Sequence, residues 1–432
     1  MFSISKRSSL KGEITIPGSK SHTIRAVLLA ALADGTSIIH NPLTSDDGLS
    51  ALKAARAFGA DILEEKGKWI VKGKGRPSLP EDVIDCGNSG TSTAFVMALA
   101  SLCEGYTVIT GDQQIRRRPV IQLVNALNEL GAKAVLTRPG KEAPPVIIQG
   151  VLKGGTAHFS GFSSVVISST LLASPMALND TIIKVEKPLE KPYLQMTIDW
   201  LKKYGVELKK QAPDYTYFEI ECGKTYKATE SSIPADWSGV AFPLVAAVCT
   251  PSDLIISGMD FNDSQGDKIV VDHLISMGAD ITKDEAGGKL IVHGGKPLKG
   301  GTTINLNDIP DSLPALSVAA CFAEGDTVFT GLAHVRVKET DRVAVMEAEL
   351  TKIGAKVETT KDSMTVHGGS PIKGAEVESY DDHRIAMAMA VAGLFADGEM
   401  RVKDAECASV SFPNFFDLLG SAGASIELSD SL

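Results

Sequence analysis

One phrase recurs six times along the chain: an amphipathic run at helical spacing, a glycine, then a short β-like segment. The glycines are Gly59, Gly131, Gly205, Gly278, Gly354 and Gly423, separated by 72, 74, 73, 76 and 69 residues. Glycine at this place is the residue just past a helix C-terminus, where it takes positive φ at no steric cost. A single such glycine constrains little. Six at a near-constant period over 432 residues mean six copies of one supersecondary unit. The period is longer than that of solenoid repeats, so each copy is expected to hold two helices and three or four strands. This is an α/β chain.

Six copies in two equal sets predict two similar globular halves. The stretch Pro17 to Ser21 is one crossover. "SSIPADWSG" around Pro234, between the third and fourth copies, is the other. One domain is therefore expected at 22–233 and the second at 1–21 together with 234–432. Two passes of chain between lobes make a hinge, and the cleft between lobes is the default ligand site.

The net charge is −10 and the pI near 5.4. That balance argues against nucleic acid or an anionic membrane as partner, and an anionic substrate must be drawn in by a local basic cluster. The six cysteines are far apart with no CxxC. The sequence shows no basic-then-apolar leader and no uncharged 18-residue apolar run. A reduced, cytoplasmic setting is the expectation. Nothing in the sequence demands a protein partner, so a monomer is the default.

The positive charges of interest sit at segment junctions. "PGSKSHTIRA" puts Lys20, Ser21 and Arg25 at a helix start. The residue before Lys20 is Ser19, so this is not the GxxxxGK[ST] phosphate loop. Lys20 and Arg25 suit an anion at a helix N-terminus, and equally a basic cap. "DCGNSGTSTAF" offers backbone amides from Gly87 to Thr91 as an anion cradle, Gly90 among them, or else an N-cap by Asn88, Ser89 or Thr91. In "GDQQIRRRPV" the residue before proline, Arg118, is biased to extended backbone and is the one of three arginines expected to point inward. Ser163 and Ser164 in "GFSSVV" suit phosphate oxygens or ordinary capping.

"NDIPDSLP" carries Asp308 and Asp311 ahead of a buried-looking helix, where an acid suits the helix dipole. In "HVRVKETDRVAVM", Arg336 and Lys338 alternate on a strand-like run. Lys338 and Arg342, four apart, are expected to share a face and converge on one anion, with Glu339 as an acid/base candidate. "YDDHRIAMAM" sets His383 and Arg384 before an Ala/Met-rich helix. There is no HExxH, no GxGxxG after a strand and no EF-hand loop, so neither a metal nor a dinucleotide cofactor is implied.

Taken together, "PGSKSHTIRA", "GNSGT", "RRRP", "NDIPD", "RVKETDR" and "DDHRIAMA" resemble the enolpyruvyl transferases, and within them the 5-enolpyruvylshikimate-3-phosphate synthases. The likeness runs nearly end to end and in order. It implies a two-domain inside-out α/β barrel with a six-fold pseudo-repeat, three repeats per domain. It implies transfer of the carboxyvinyl group of phosphoenolpyruvate to the 5-hydroxyl of shikimate 3-phosphate, with release of phosphate and no cofactor. By the same likeness Ser21, Arg25 and Tyr193 hold the shikimate part. Ser163, Ser164, His334 and Lys338 lie near its phosphate or ring hydroxyls. Lys20, Gly90, Arg118, Arg342 and Arg384 hold phosphoenolpyruvate. Lys20 also touches shikimate 3-phosphate, and so does Asp311. Asp311 and Glu339 share the proton transfers, assisted by Lys20 and His383. The sister activity on a UDP-sugar is disfavoured, because "GDQQIRRRP" lacks the cysteine usual there.

The likeness has departures. Ala94 stands for a usual arginine, Val165 for a glutamine, Glu190 for a serine, Val410 for a lysine and His334 for a common asparagine. Three readings are therefore open: a divergent synthase, an enolpyruvyl transferase for a different alcohol, and a non-catalytic paralogue that binds an anion. The resemblance further implies weak inhibition by glyphosate, since Ala94, Val165 and Val410 alter the phosphoenolpyruvate subsite.

Overall fold

The computed structural model describes residues 1–430. The chain divides into two compact units, Gly18–Ile233 and Met1–Pro17 with Pro234–Leu432. Lys20 and Ser21, grouped by sequence with the N-terminal segment, belong to the Gly18–Ile233 unit. The reason is local. The Pro17 carbonyl accepts the Asp236 N–H at 3.1 Å, inside the other unit, whereas Gly18 already lies tight against the Asn41 carbonyl. A side chain at Gly18 would collide with that carbonyl, so the crossing chain needs glycine there.

Each repeat is strand–helix–strand–helix–strand–strand. The first strand pairs parallel with the second, and the second pairs antiparallel with the last of a closing hairpin. In the second repeat Ile84–Asp85 lies beside Tyr106–Thr110, which pairs with Val146–Gln149 and then Lys133–Leu136. The fifth repeats the order with Thr302–Asn305, Asp326–Thr330, Ser363–His367 and Lys356–Thr359. Three repeats borrow strands from remote sequence. Glu230–Ser232 supplies the first strand for Ala33–His40. Lys11–Thr15 does so for Asp253–Ser257, and Phe2–Lys6 sits between Met400–Lys403 and Ser425–Ser429.

The Gly18–Ile233 unit holds α1 (Lys20–Leu32), α2 (Asp46–Ala57), α3 (Gly90–Ala100), α4 (Ile121–Glu129), α5 (Ser164–Ala173) and α6 (Lys191–Lys203). The other holds α7 (Trp237–Cys249), α8 (Ile269–Ser276), α9 (Leu313–Phe322), α10 (Arg342–Lys352), α11 (His383–Gly393) and α12 (Phe415–Ser421). Odd-numbered helices are apolar nearly all round and buried; even-numbered ones are buried on one face only. A helix without a polar face must sit inside. In each unit the buried helices therefore pack on one another at the centre, α1 and α5 on α3, α7 and α11 on α9, with the sheets around them. This is an inside-out α/β barrel, each unit having its own apolar core.

The six periodic glycines end α2, α4, α6, α8, α10 and α12. All have φ between 82° and 97°. At each, the glycine N–H reaches back three residues and the next N–H reaches back five, as in Gly59→Arg56 and Ala60→Ala55, or Gly354→Thr351 and Ala355→Leu350. That pair of bonds satisfies the last carbonyls of the helix and turns the chain into the hairpin.

Candidate active site

Within each unit, many of the residues singled out by sequence lie at or beside helix starts. In the Gly18–Ile233 unit, Lys20 opens α1 and its Nζ lies 3.1 Å from Asp47 Oδ2 in the first turn of α2, Asp47 being buried and Lys20 partly so. Ser92 Oγ at the start of α3 donates to the Asp47 carbonyl at 3.5 Å, so the starts of three helices meet here. Sequence reasoning passes over Asp47, because "TSDDG" reads as an ordinary acidic helix start, and Ser45 is indeed the N-cap.

Arg25 does not join Lys20 at the helix tip. Five residues on, it faces another direction and is fully buried. Its Nε donates to Thr197 Oγ1 at 2.8 Å and its Nη1 to the Ser21 carbonyl at 2.9 Å. Its Nη2 reaches the Tyr193 carbonyl at 3.3 Å, and the guanidinium lies over the Phe95 ring at 5.2 Å. Burial pulls its pKa down to about 10, which leaves it charged at neutral pH. Arg25 thereby fixes the first turn of α6, and with it Tyr193, against α1.

Arg118 follows the single turn Ile115–Arg117 with extended backbone, φ −77° and ψ 129°, as the next proline demands. Arg116 and Arg117 are exposed; Arg118 is half-buried. Its guanidinium occupies the space a Cβ on Gly90 would fill, at the first residue of α3. Glycine at 90 is thus a matter of close approach rather than of backbone angle. At α5, Ser163 is the N-cap residue and Ser164 the first helical one. Ser164 is buried, and both its N–H and its Oγ donate to Glu190 Oε2, at 3.0 and 2.7 Å.

In the other unit the starts of α7, α9, α10 and α11 meet around two arginines. Arg342, wholly buried, binds three carboxylates. Its Nε and Nη2 grip Asp382 at 2.7 and 3.1 Å, Nη1 takes Asp311 at 2.7 Å, and Nη2 takes Glu339 at 2.6 Å. Burial works against its charge, but Asp382, Glu339 and Asp311 outweigh that, and its pKa is held well above the usual arginine value. Arg384 donates to Ser238 Oγ at 2.9 Å and lies 3.3 Å from Asp311 Oδ2. Asp236 caps α7 and accepts from Ser238 N–H and Oγ. Asp382 caps α11 through the Arg384 N–H at 3.0 Å. His383, the first residue of α11, and His334 are both buried.

Two sequence expectations give way here. Residues 333–337 form a turn of 3-10 helix, not a strand, and Arg336 faces Asp341 rather than a ligand. Lys338 and Arg342 do not share a helix face. Lys338 ends the 3-10 turn, whereas α10 begins only at Arg342, behind its N-cap Asp341. The Arg-Val-Lys run turns as 3-10 helix instead of pairing with a neighbour, and the Asp341 cap sets the helix start. Asp311 also differs from a plain dipole acid. It lies in the turn Pro310–Ser312 ahead of α9, and its carboxylate goes to the two arginines. Asp308 lies just outside that turn. Asp382 escapes sequence reasoning as a functional residue, although "DDHR" carries it; its partner is 40 residues away. All six cysteines are free, and burial pushes the thiols of Cys86, Cys103, Cys321 and Cys407 up to about 12.

Residues 4–419 match the family model for EPSP synthase (3-phosphoshikimate 1-carboxyvinyltransferase). The chain belongs to the EPSP synthase family. A 3-phosphoshikimate 1-carboxyvinyltransferase of Ruminiclostridium cellulolyticum is 43% identical over 99% of this chain and 100% of its own length. One from Acetivibrio thermocellus is 42% identical over 98% of each chain. A solved EPSP synthase of Acinetobacter baumannii superposes with a TM-score of 0.82 over 99% of both chains at 32% identity. The chain is a transferase of the EPSP synthase family with that family's α/β fold. No helix of its described residues is long and apolar enough to cross a membrane.

Proposed function

We propose that the chain transfers the enolpyruvyl group of phosphoenolpyruvate to the 5-hydroxyl of shikimate 3-phosphate by addition and elimination. The acceptor hydroxyl gives up its proton as its oxygen bonds to C2 of phosphoenolpyruvate, while C3 gains a proton. The methyl group so formed then gives a proton back as phosphate leaves C2. Two proton donor–acceptors and a set of cations are therefore required. The observation that carries the reading is Arg342, buried and bonded at once to Asp311 and Glu339, with Arg384 also on Asp311. In this reading Asp311 and Glu339 move the protons, with Lys20 and His383 assisting.

Ser21, Arg25, Tyr193, Ser163, Ser164, His334 and Lys338 are assigned to the acceptor. Lys20, Gly90, Arg118, Arg342 and Arg384 are assigned to phosphoenolpyruvate, whose carboxylate and phosphate suit paired guanidinium donors. The enzyme acts on small anions, as a monomer in the cytoplasm; light scattering on the purified chain checks the monomer. The deciding experiment measures inorganic phosphate released from phosphoenolpyruvate with and without shikimate 3-phosphate. Release that depends on that acceptor supports the reading. Release only with another alcohol selects a different acceptor, a possibility favoured by the acid at Glu190. Silence with every acceptor, beside measurable binding, marks a binding paralogue.

A further inference from the structure

The proposed function assigns Ser163 and Ser164 to the acceptor, near its phosphate or ring hydroxyls, and an acceptor phosphate bound there comes to a place that already holds a carboxylate. Glu190 is 3% exposed. Its Oε2 accepts from the Ser164 N–H at 3.0 Å and from the Ser164 hydroxyl at 2.7 Å. The first turn of α5 has no acid of its own, so this one is delivered from a different helix, as the N-cap residue of α6. It is delivered at a cost, because Glu190 has left-handed backbone, φ 53° and ψ 39°, which a residue with a side chain seldom adopts. Tyr193, one turn into the same helix, is held by Arg25 through its carbonyl, so the segment carrying Glu190 is fixed against α1.

An amide and a hydroxyl at a helix start are the donors an anion uses. A phosphate arriving there meets the same two donors already engaged, and a negative charge within a few ångströms in a site largely shut off from water. A neutral hydroxyl on the ligand meets no such repulsion and can itself donate to the carboxylate. Resting on that assignment of the acceptor, we propose that Glu190 is a specificity-determining residue, a built-in competitor for the acceptor's phosphate. It weakens phosphorylated acceptors and narrows the preference for them over the unphosphorylated polyol.

The test compares wild type, E190S and E190Q, measuring KM for shikimate 3-phosphate, shikimate and phosphoenolpyruvate, with thermal melting alongside. The expected result is a fall of at least tenfold in KM for shikimate 3-phosphate in E190S and a smaller fall in E190Q. KM for shikimate and for phosphoenolpyruvate should stay within twofold. An unchanged or raised KM for shikimate 3-phosphate in both variants overturns the proposal. If E190S melts early, the near-isosteric E190Q decides alone: a fall of threefold or more supports competition, and none refutes it. If the wild type releases no phosphate with shikimate 3-phosphate, the proposed function fails, yet calorimetric titration of shikimate 3-phosphate into the three proteins still reads the competition. Tighter binding to E190S then supports it, and equal affinity overturns it.

Discussion

The two units share one repeat plan, yet their buried helices start differently. In the Gly18–Ile233 unit, α1, α3 and α5 begin behind Ser19, Ser89 and Ser163, with no acid in any first turn. In the other unit, α7 and α11 begin behind Asp236 and Asp382, and Asp311 stands just before α9. Serines and amides leave a helix start suited to a ligand's anion. Aspartates fill it with the chain's own charge, which then needs arginines. The same architecture thus leaves serine-led helix starts in one half and a carboxylate–guanidinium assembly in the other. Glu190 and Asp47 are the exceptions, acids that reach helix starts in the serine half.

Breaking the second half should have the largest effect. Arg342→Met leaves Asp311, Glu339 and Asp382 without their shared cation. A loss of about 3–5 kcal/mol in chemical denaturation is expected, together with activity below detection. Full stability in that variant would mean the assembly is not the electrostatic keystone of its unit. Asp311→Asn keeps the shape and removes a proton acceptor; kcat should fall ~100- to 10,000-fold. If only the KM values moved, Asp311 would be a binding group and the contrast between halves would fade.

The serine half is probed more gently by Gly90→Ala. The added methyl meets the Arg118 guanidinium, and KM for phosphoenolpyruvate should rise about tenfold, ~1.4 kcal/mol. An unchanged KM would remove Arg118 from the phosphoenolpyruvate site. The smallest effect is expected at the repeat glycines. An alanine side chain at Gly278 meets nothing within 4 Å, whereas at Gly131 it runs into Lys153. Gly278→Ala should cost about 1 kcal/mol from positive φ alone, with kcat untouched, and Gly131→Ala somewhat more. Urea unfolding curves separate the two.

The repeat is legible in the sequence because its signal is local: a helix that ends on a left-handed turn needs glycine within a residue or two of the same place each time. Helix starts such as those of α1, α3 and α11 are legible for the same reason. What escapes is set by distant partners. Nothing near Asp382 announces Arg342, nothing near Asp47 announces Lys20, and Glu190 reaches Ser164 only because α6 packs on α5. The Arg-Val-Lys alternation misleads because three residues cannot tell a strand from a tight helical turn. Arg25 and Lys20 look like one charge pair in the sequence, but the helix turns them to different neighbours.

The strand Phe2–Lys6 also bears on how the protein is made. It is flanked by Met400–Lys403 and Ser425–Ser429, so its neighbours are translated long after it. At ~5–20 residues per second that wait is on the order of tens of seconds. The Gly18–Ile233 half, whose strands all come from contiguous sequence, can finish while its sister is still being translated. A nascent chain stalled short of the final hairpin would carry a folded first half and an orphaned leading strand.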